Sequence, residues 1–189
     1  MVIAFHKPYG VLCQFTQDQP GQRTLAEFGF PPGVYPVGRL DLDSEGLLLL
    51  SDEAGFNNCL LDPGAAHPRT YHAQVEGIPV PEAIRRLTAG GLAIQGHKTL
   101  PCRARLLDVD TEVPPREPPV RFRQAIPTAW LELTLIEGKN RQVRRMTAAV
   151  GFPTLRLIRR AIGKLAIDPG PGAWRELTSG EIHLIWKKW

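Results

Sequence analysis

The chain has 189 residues, 43% hydrophobic and 22% charged, a globular composition long enough to bury a core in one domain or two small ones. Glycine and proline number 18 each, below the share of a low-complexity chain, which excludes wholesale disorder. The net charge of +4 conceals a split, because residues 1–138 carry 12 basic and 16 acidic side chains whereas 139–189 carry 11 basic and 3 acidic, the footprint of a surface that meets nucleic acid or an anionic membrane.

Two β-like runs, 2–6 and 11–15, surround Lys7-Pro8-Tyr9-Gly10, and the Pro and Gly between them predict an opening hairpin. Strands are predicted at 34–37 and 46–51, with the polar loop 38–45 between them. Residues 71–75 alternate with the two-residue period of a half-buried strand, and 81–89 reads as a short helix that starts on Pro81 and ends at Gly90-Gly91. The five prolines of 114–127 predict an extended connection. A strand follows at 129–136. Asn140 is placed to cap a helix over 141–150, Gly151 and Pro153 end it, and 154–162 forms the last predicted strand. The fold class expected is α+β.

The run Leu47 to Leu50 is core-strand length, far short of the roughly 18 apolar residues of a membrane span. The N-terminus lacks the pattern of a secretory signal, so a cytoplasmic protein with no membrane association is expected. Cys13, Cys59 and Cys102 are widely spaced with no C-x-x-C pair, predicting buried reduced thiols and no metal site. His67 and His72 show no ligand spacing and are expected to be structural or surface residues. There is no P-loop and no G-x-G-x-x-G.

Asp41, Asp43 and Glu45 fall at i, i+2 and i+4, and with Asp52 they approach a calcium-loop pattern. Pro36 and Gly38 stand where a flanking helix should be, Asp52 replaces the bidentate Glu, and four leucines fill the second half. A magnesium cluster lacks an accompanying phosphate-binding element. A glycosidase-like acid pair stays open, since spacing along a loop does not decide it.

The whole string is more specific. PVGRLDLDSEGLLLLSDEAG, then RTYHAQVEG at 69–77 and EGKNRQVRRM at 137–146, resembles the pseudouridine synthases of the RsuA and RluB/E/F family, with three motifs in the family's order. FHKPYGVLCQFT resembles the first motif and GFPTLRLIRRAIG extends the third, so the resemblance spans nearly the whole chain. It implies a single catalytic domain over 1–189 with a mixed, largely antiparallel sheet, flanking helices and a central active-site cleft. No basic S4 segment precedes the first motif, and none is expected. The implied reaction isomerises a uridine of 23S ribosomal RNA, flipped into the site, without cofactor or metal. A monomer is expected. The alternative is a noncatalytic RNA-binding or ribosome-assembly protein on the same fold, against which the intact G-R-L-D and Q-V-R motifs argue.

Moving uracil from an N- to a C-glycosidic bond needs a nucleophile or a carboxylate that stabilises the cation at C1′. The resemblance assigns this to Asp41, ionised at neutral pH, and leaves nucleophilic addition and a glycal route both open. Tyr71 matches the family's active-site tyrosine, which stacks on the target base and is a candidate proton acceptor. Arg144 matches the arginine that pairs with the aspartate. Helical geometry agrees: with Val143, Met146 and Val150 centring the buried face, Arg141 and Arg145 point away from it and Arg144 falls on its border. Arg69 stands where relatives usually have lysine, and Ser51-Asp52 where they often have Thr-Asn. Lys139, Arg141, Arg145, Arg156, Arg159 and Arg160 form a basic cluster which, with Arg39 and Arg69, is expected to hold RNA phosphates. An anionic-membrane surface competes with this reading, but no basic helix with large exposed apolar residues accompanies the cluster.

Overall fold

The structure, a computed structural model, describes residues 1–108, 113–120 and 126–186. The chain forms two compact units, Met1–His67 with Arg159–Trp189, and Pro68–Ile158. The first begins with β1 (Val2–Lys7), β2 (Val11–Leu12), β3 (Arg23–Thr24), β4 (Tyr35–Val37), β5 (Glu45–Ser51) and helix α1 (Phe56–Leu61). The second contains β6 (Arg69–Glu76), α2 (Pro81–Ala89), β7 (Ala93–Ile94), β8 (His97–Lys98), β9 (Arg103–Leu106), β10 (Thr128–Leu135), α3 (Gln142–Ala149) and the first part of β11 (Thr154–Ile162). The chain returns to the first unit through the end of β11, then β12 (Leu165–Ala166), β13 (Trp174–Glu176) and α4 (Ser179–Trp186). Every pairing described below is antiparallel except β2–β3, so the predicted mixed, largely antiparallel α+β class is borne out.

In the first unit β5 explains the leucine run. Leu47 and Leu49 enter one core cluster with Val2, Ala4 and Val37, while Leu48 and Leu50 enter another with Ile3, Phe5 and Leu25. A strand covered on both faces has no polar side, which is why the two-residue alternation is missing from its sequence. β1 lies between β5, with Val2 opposite Ser51, and β13, with Ile3 opposite Glu176. The expected hairpin between 2–6 and 11–15 therefore does not form. Both edges of β1 are occupied, and β2 pairs in parallel with β3 instead.

In the second unit the alternation of β6 sends Ala73 and Val75 inward to meet Leu131, Leu133 and Leu135 of β10, with Ala83 and Leu87 of α2 and Val143 and Met146 of α3. The other face carries polar cross-strand pairs, Thr70 with Thr134 at 3.0 Å and His72 with Glu132 at 3.3 Å. Helix α2 spans the predicted residues and ends at Gly90, φ 73°. Residues 113–120 of the proline-rich connection form no helix or strand, and 121–125 lie outside the described residues. Among the described residues no helix is long and apolar enough to cross a membrane. Cys13 and Cys102 are buried but Cys59 is exposed, contrary to the expectation for all three thiols. It follows Asn57 and Asn58 on α1, whose buried residues are Phe56 and Leu60.

Candidate active site

Asp41 sits in the first unit at the bend between β4 and β5. The bend begins at Gly38, φ 74°, whose N–H donates to Asn57 Oδ1 at 3.2 Å. Arg39 is exposed and Leu40 is buried in the cluster of Ile3 and Phe5. Half-buried Asp41 then starts a tight turn in which its carbonyl accepts the Ser44 N–H at 3.0 Å, while the Gly10 N–H donates to the Leu42 carbonyl at 2.9 Å. The turn runs straight into β5 through Ser44, Glu45 and Gly46, all buried. Gly46 has φ 105°, and a Cβ there would lie 2.3 Å from the Arg159 carbonyl oxygen. The glycine of the S-E-G triplet is thus required by a backbone that passes against another strand.

Beside this turn lies a charge that sequence reasoning missed. Lys7 ends β1 fully buried, and its ammonium donates to the carbonyls of Val11 at 2.7 Å and Pro8 at 3.0 Å. Burial pushes its pKa down to about 8, against the opposing pull of Cys13, Glu45, Asp43 and Asp41. The available signal was a lysine directly after the apolar run VIAFH and before Pro8. A lysine at a strand end normally reads as a solvated terminus.

The remaining candidates of the second unit lie on β6 and around α3. Tyr71 is half-buried, packs against the core cluster that also holds Val143 and Met146, and faces Leu133 across the ladder. Arg69 is two residues earlier on the same strand face. Helix α3 starts one residue later than predicted, at Gln142. Asn140 is not its cap, because Arg141 takes that position in a left-handed conformation, φ 50°, with no side-chain cap bond. Asn140 instead accepts from Arg145, through its backbone carbonyl and through Oδ1 at 2.8 Å. Lys139 and Arg141 are exposed and Arg144 is half-buried; for Arg141 and Arg144 this is what the helical geometry predicts, whereas Arg145, expected to point away from the core, is also half-buried, its guanidinium folded back onto Asn140. Arg144 Nη1 donates to the Thr154 carbonyl at 3.2 Å.

The basic cluster is smaller at the surface than its sequence suggested. Arg156 and Arg159 are only 6% and 5% exposed. Arg156 donates to the Pro114 carbonyl at 2.8 Å and Arg159 Nε to the Leu47 carbonyl at 2.7 Å. Strand β11 is largely buried, so its alternation does not turn these arginines to solvent. This corrects the expectation that Arg159 lies on a phosphate-binding surface. Arg160 is half-buried, and burial lowers its pKa. Of the two histidines, His67 is buried against the Trp186 ring at 5.0 Å between centroids, and His72 joins Glu132. Among the described residues no group of His, Cys, Asp and Glu side chains gathers as a metal ion would need.

Residues 1–149 match the model of the RNA pseudouridylate synthase family. The chain is 54% identical over 169 residues to ribosomal large subunit pseudouridine synthase E of Xanthomonas axonopodis pv. citri (strain 306), covering 89% of this chain and 88% of the relative. It is 37% identical to ribosomal large subunit pseudouridine synthase B of Bacillus subtilis (strain 168), over 95% of this chain and 69% of that one. Among solved structures, a crystal structure of pseudouridylate synthase superposes with a TM-score of 0.78 at 26% identity, covering 97% of this chain and 73% of the other.

Proposed function

The chain belongs to the RNA pseudouridylate synthase family, and on that premise we propose that it isomerises a specific uridine of 23S ribosomal RNA to pseudouridine, with Asp41, Tyr71 and Arg144 acting on the flipped nucleotide. The substrate follows the large-subunit RNA named for its relatives. The observation that carries the chemistry is the intact G-R-L-D-x-x-S-E-G string on a stiff turn, with Asp41 half-buried at its start.

The reaction breaks the C1′–N1 bond, turns the uracil and joins C5 to C1′, after which C5 gives up its proton and N1 takes one up. No atom is gained or lost overall. Asp41 meets the electron-poor C1′, either as nucleophile or as the carboxylate that helps form a glycal, and its short turn limits the reorganisation needed. Tyr71 offers a ring face to the extruded base and a phenol oxygen as a late proton acceptor. Arg144 is assigned to pair with the aspartate, a role supported by its place two residues after the glutamine of Q-V-R. Lys139, Arg141 and Arg145, with Arg39, Arg69 and Arg160, are assigned to the RNA backbone. A monomer in the cytoplasm remains the working expectation.

Incubation with undermodified 23S RNA tritiated at uridine C5 tests the proposal. Tritium release accompanied by one new pseudouridine supports it. Tight binding without release favours the noncatalytic RNA-binding alternative.

A further inference from the structure

The arch that leads into α3 is tied together by one carboxylate. Glu137, whose side chain is 10% exposed, accepts the Leu100 N–H on Oε1 at 2.8 Å, Gln142 Nε2 on the same oxygen at 2.5 Å, and His97 Nε2 on Oε2 at 2.8 Å. An ionised carboxylate only accepts, so the histidine must carry its proton on Nε2. Gln142 is 5% exposed; its Oε1 accepts the Lys139 N–H at 2.9 Å while its backbone N–H donates to the Lys139 carbonyl at 3.1 Å. These bonds join the hairpin segment 97–100, the end of the strand β10 region and the first residue of α3.

The helix has reason to need this support. It carries Arg141, Arg144 and Arg145 around its first turn, has no acidic residue there, no side-chain cap, and a left-handed Arg141 at its start. A helix N-terminus is itself a partial positive charge, so three arginines there repel both the terminus and one another. Left-handed backbone in a non-glycine residue adds about 1 kcal/mol of strain. Glu137 lies outside the helix and reaches its first residue through the Gln142 amide. We propose that Glu137 and Gln142 are positioning residues that set the direction of α3 and hence the reach of Arg144, an inference that rests on the role assigned to Arg144 above.

The test is a double-mutant cycle on the full chain, read by single-turnover tritium release and by affinity for the same RNA. Glu137→Gln keeps the shape but removes the charge, and its NH2 meets His97 Nε2, which accepts only if the imidazole moves its proton to Nδ1. It should slow release between about ten- and a hundredfold while RNA affinity changes less than about twofold and the melt stays cooperative above assay temperature. In an Arg144→Lys background, where the guanidinium fork is already lost, the same change should cost less than about twofold more. Full multiplicative loss in that background overturns the inference, as does an unchanged rate or a loss carried wholly by affinity. Should Glu137→Gln unfold, Gln142→Met cuts the link from the helix side and enters the same cycle. An Arg144→Ala variant with undiminished release would instead sink the role of Arg144, separately from the fate of the clamp.

Discussion

The two units solve opposite electrostatic problems. The first holds 9 basic and 11 acidic residues, a balance of −2, and the second 14 basic and 8 acidic, a balance of +6. In the first, the aspartate turn is fixed by backbone hydrogen bonds and by glycine, with the buried Lys7 drawn toward several acids. In the second, arginines crowd a helix start that backbone bonds alone do not cap, and a buried carboxylate with its amide holds the approach. The loop that presents Asp41 is held by backbone, whereas the approach to α3 is held by side-chain hydrogen bonds from Glu137 and Gln142.

The largest effect should come from Asp41. Asp41→Ala is expected to reduce tritium release by more than about a thousandfold while leaving RNA affinity nearly unchanged, which would separate the chemistry at the Asp41 turn from capture of the RNA. Normal turnover would break that division. Next is Gly46→Ala, which forces an L side chain into φ 105° and into the Arg159 carbonyl. It should cost roughly 3 kcal/mol or more of stability, read as a lower urea midpoint, and a wild-type midpoint would show that the turn tolerates movement.

A comparable effect tied to pH is expected at Lys7. Its folded pKa of about 8 lies below the ordinary 10.5, so between those values the unfolded chain binds the extra proton. Stability must then rise with pH across that window relative to Lys7→Met, by about 3 kcal/mol. Urea melts of both proteins at pH 7.5 and pH 10.5 measure it, and parallel curves would mean that Lys7 is not desolvated. The smallest effect belongs to the surface of the second unit. Arg141→Ala with Arg145→Ala should raise the Kd for RNA about tenfold at low salt and reduce the salt slope by about 2, with the single-turnover rate unchanged at saturating enzyme. A rate loss at full occupancy would put one of these arginines in the chemistry.

Much of this was legible from residues alone. The helix at 81–89 and the strand at 154–162 match α2 and β11, because each ends on a glycine or proline signal that acts locally. The exposure of Arg141 and the half-burial of Arg144 follow from helical spacing around Val143 and Met146. The opening hairpin failed because turn chemistry between 7 and 10 says nothing of which strands compete for the edges of β1. Burial of Arg156 and Arg159 was missed because charge is counted along the chain, whereas exposure depends on what packs over β11.

Sequence by itself determined the fold class, the motif order and the charge asymmetry along the chain, since these depend on residue type and short-range spacing. Tertiary structure decided how that charge is shared: the return of 159–189 to the first unit splits the basic segment in two, and burial removes Arg156 and Arg159 from the surface. It also brought out the buried Lys7 and the Glu137–Gln142 clamp. Desolvation and hydrogen bonding are set by distance in space, which residues far apart in sequence determine together.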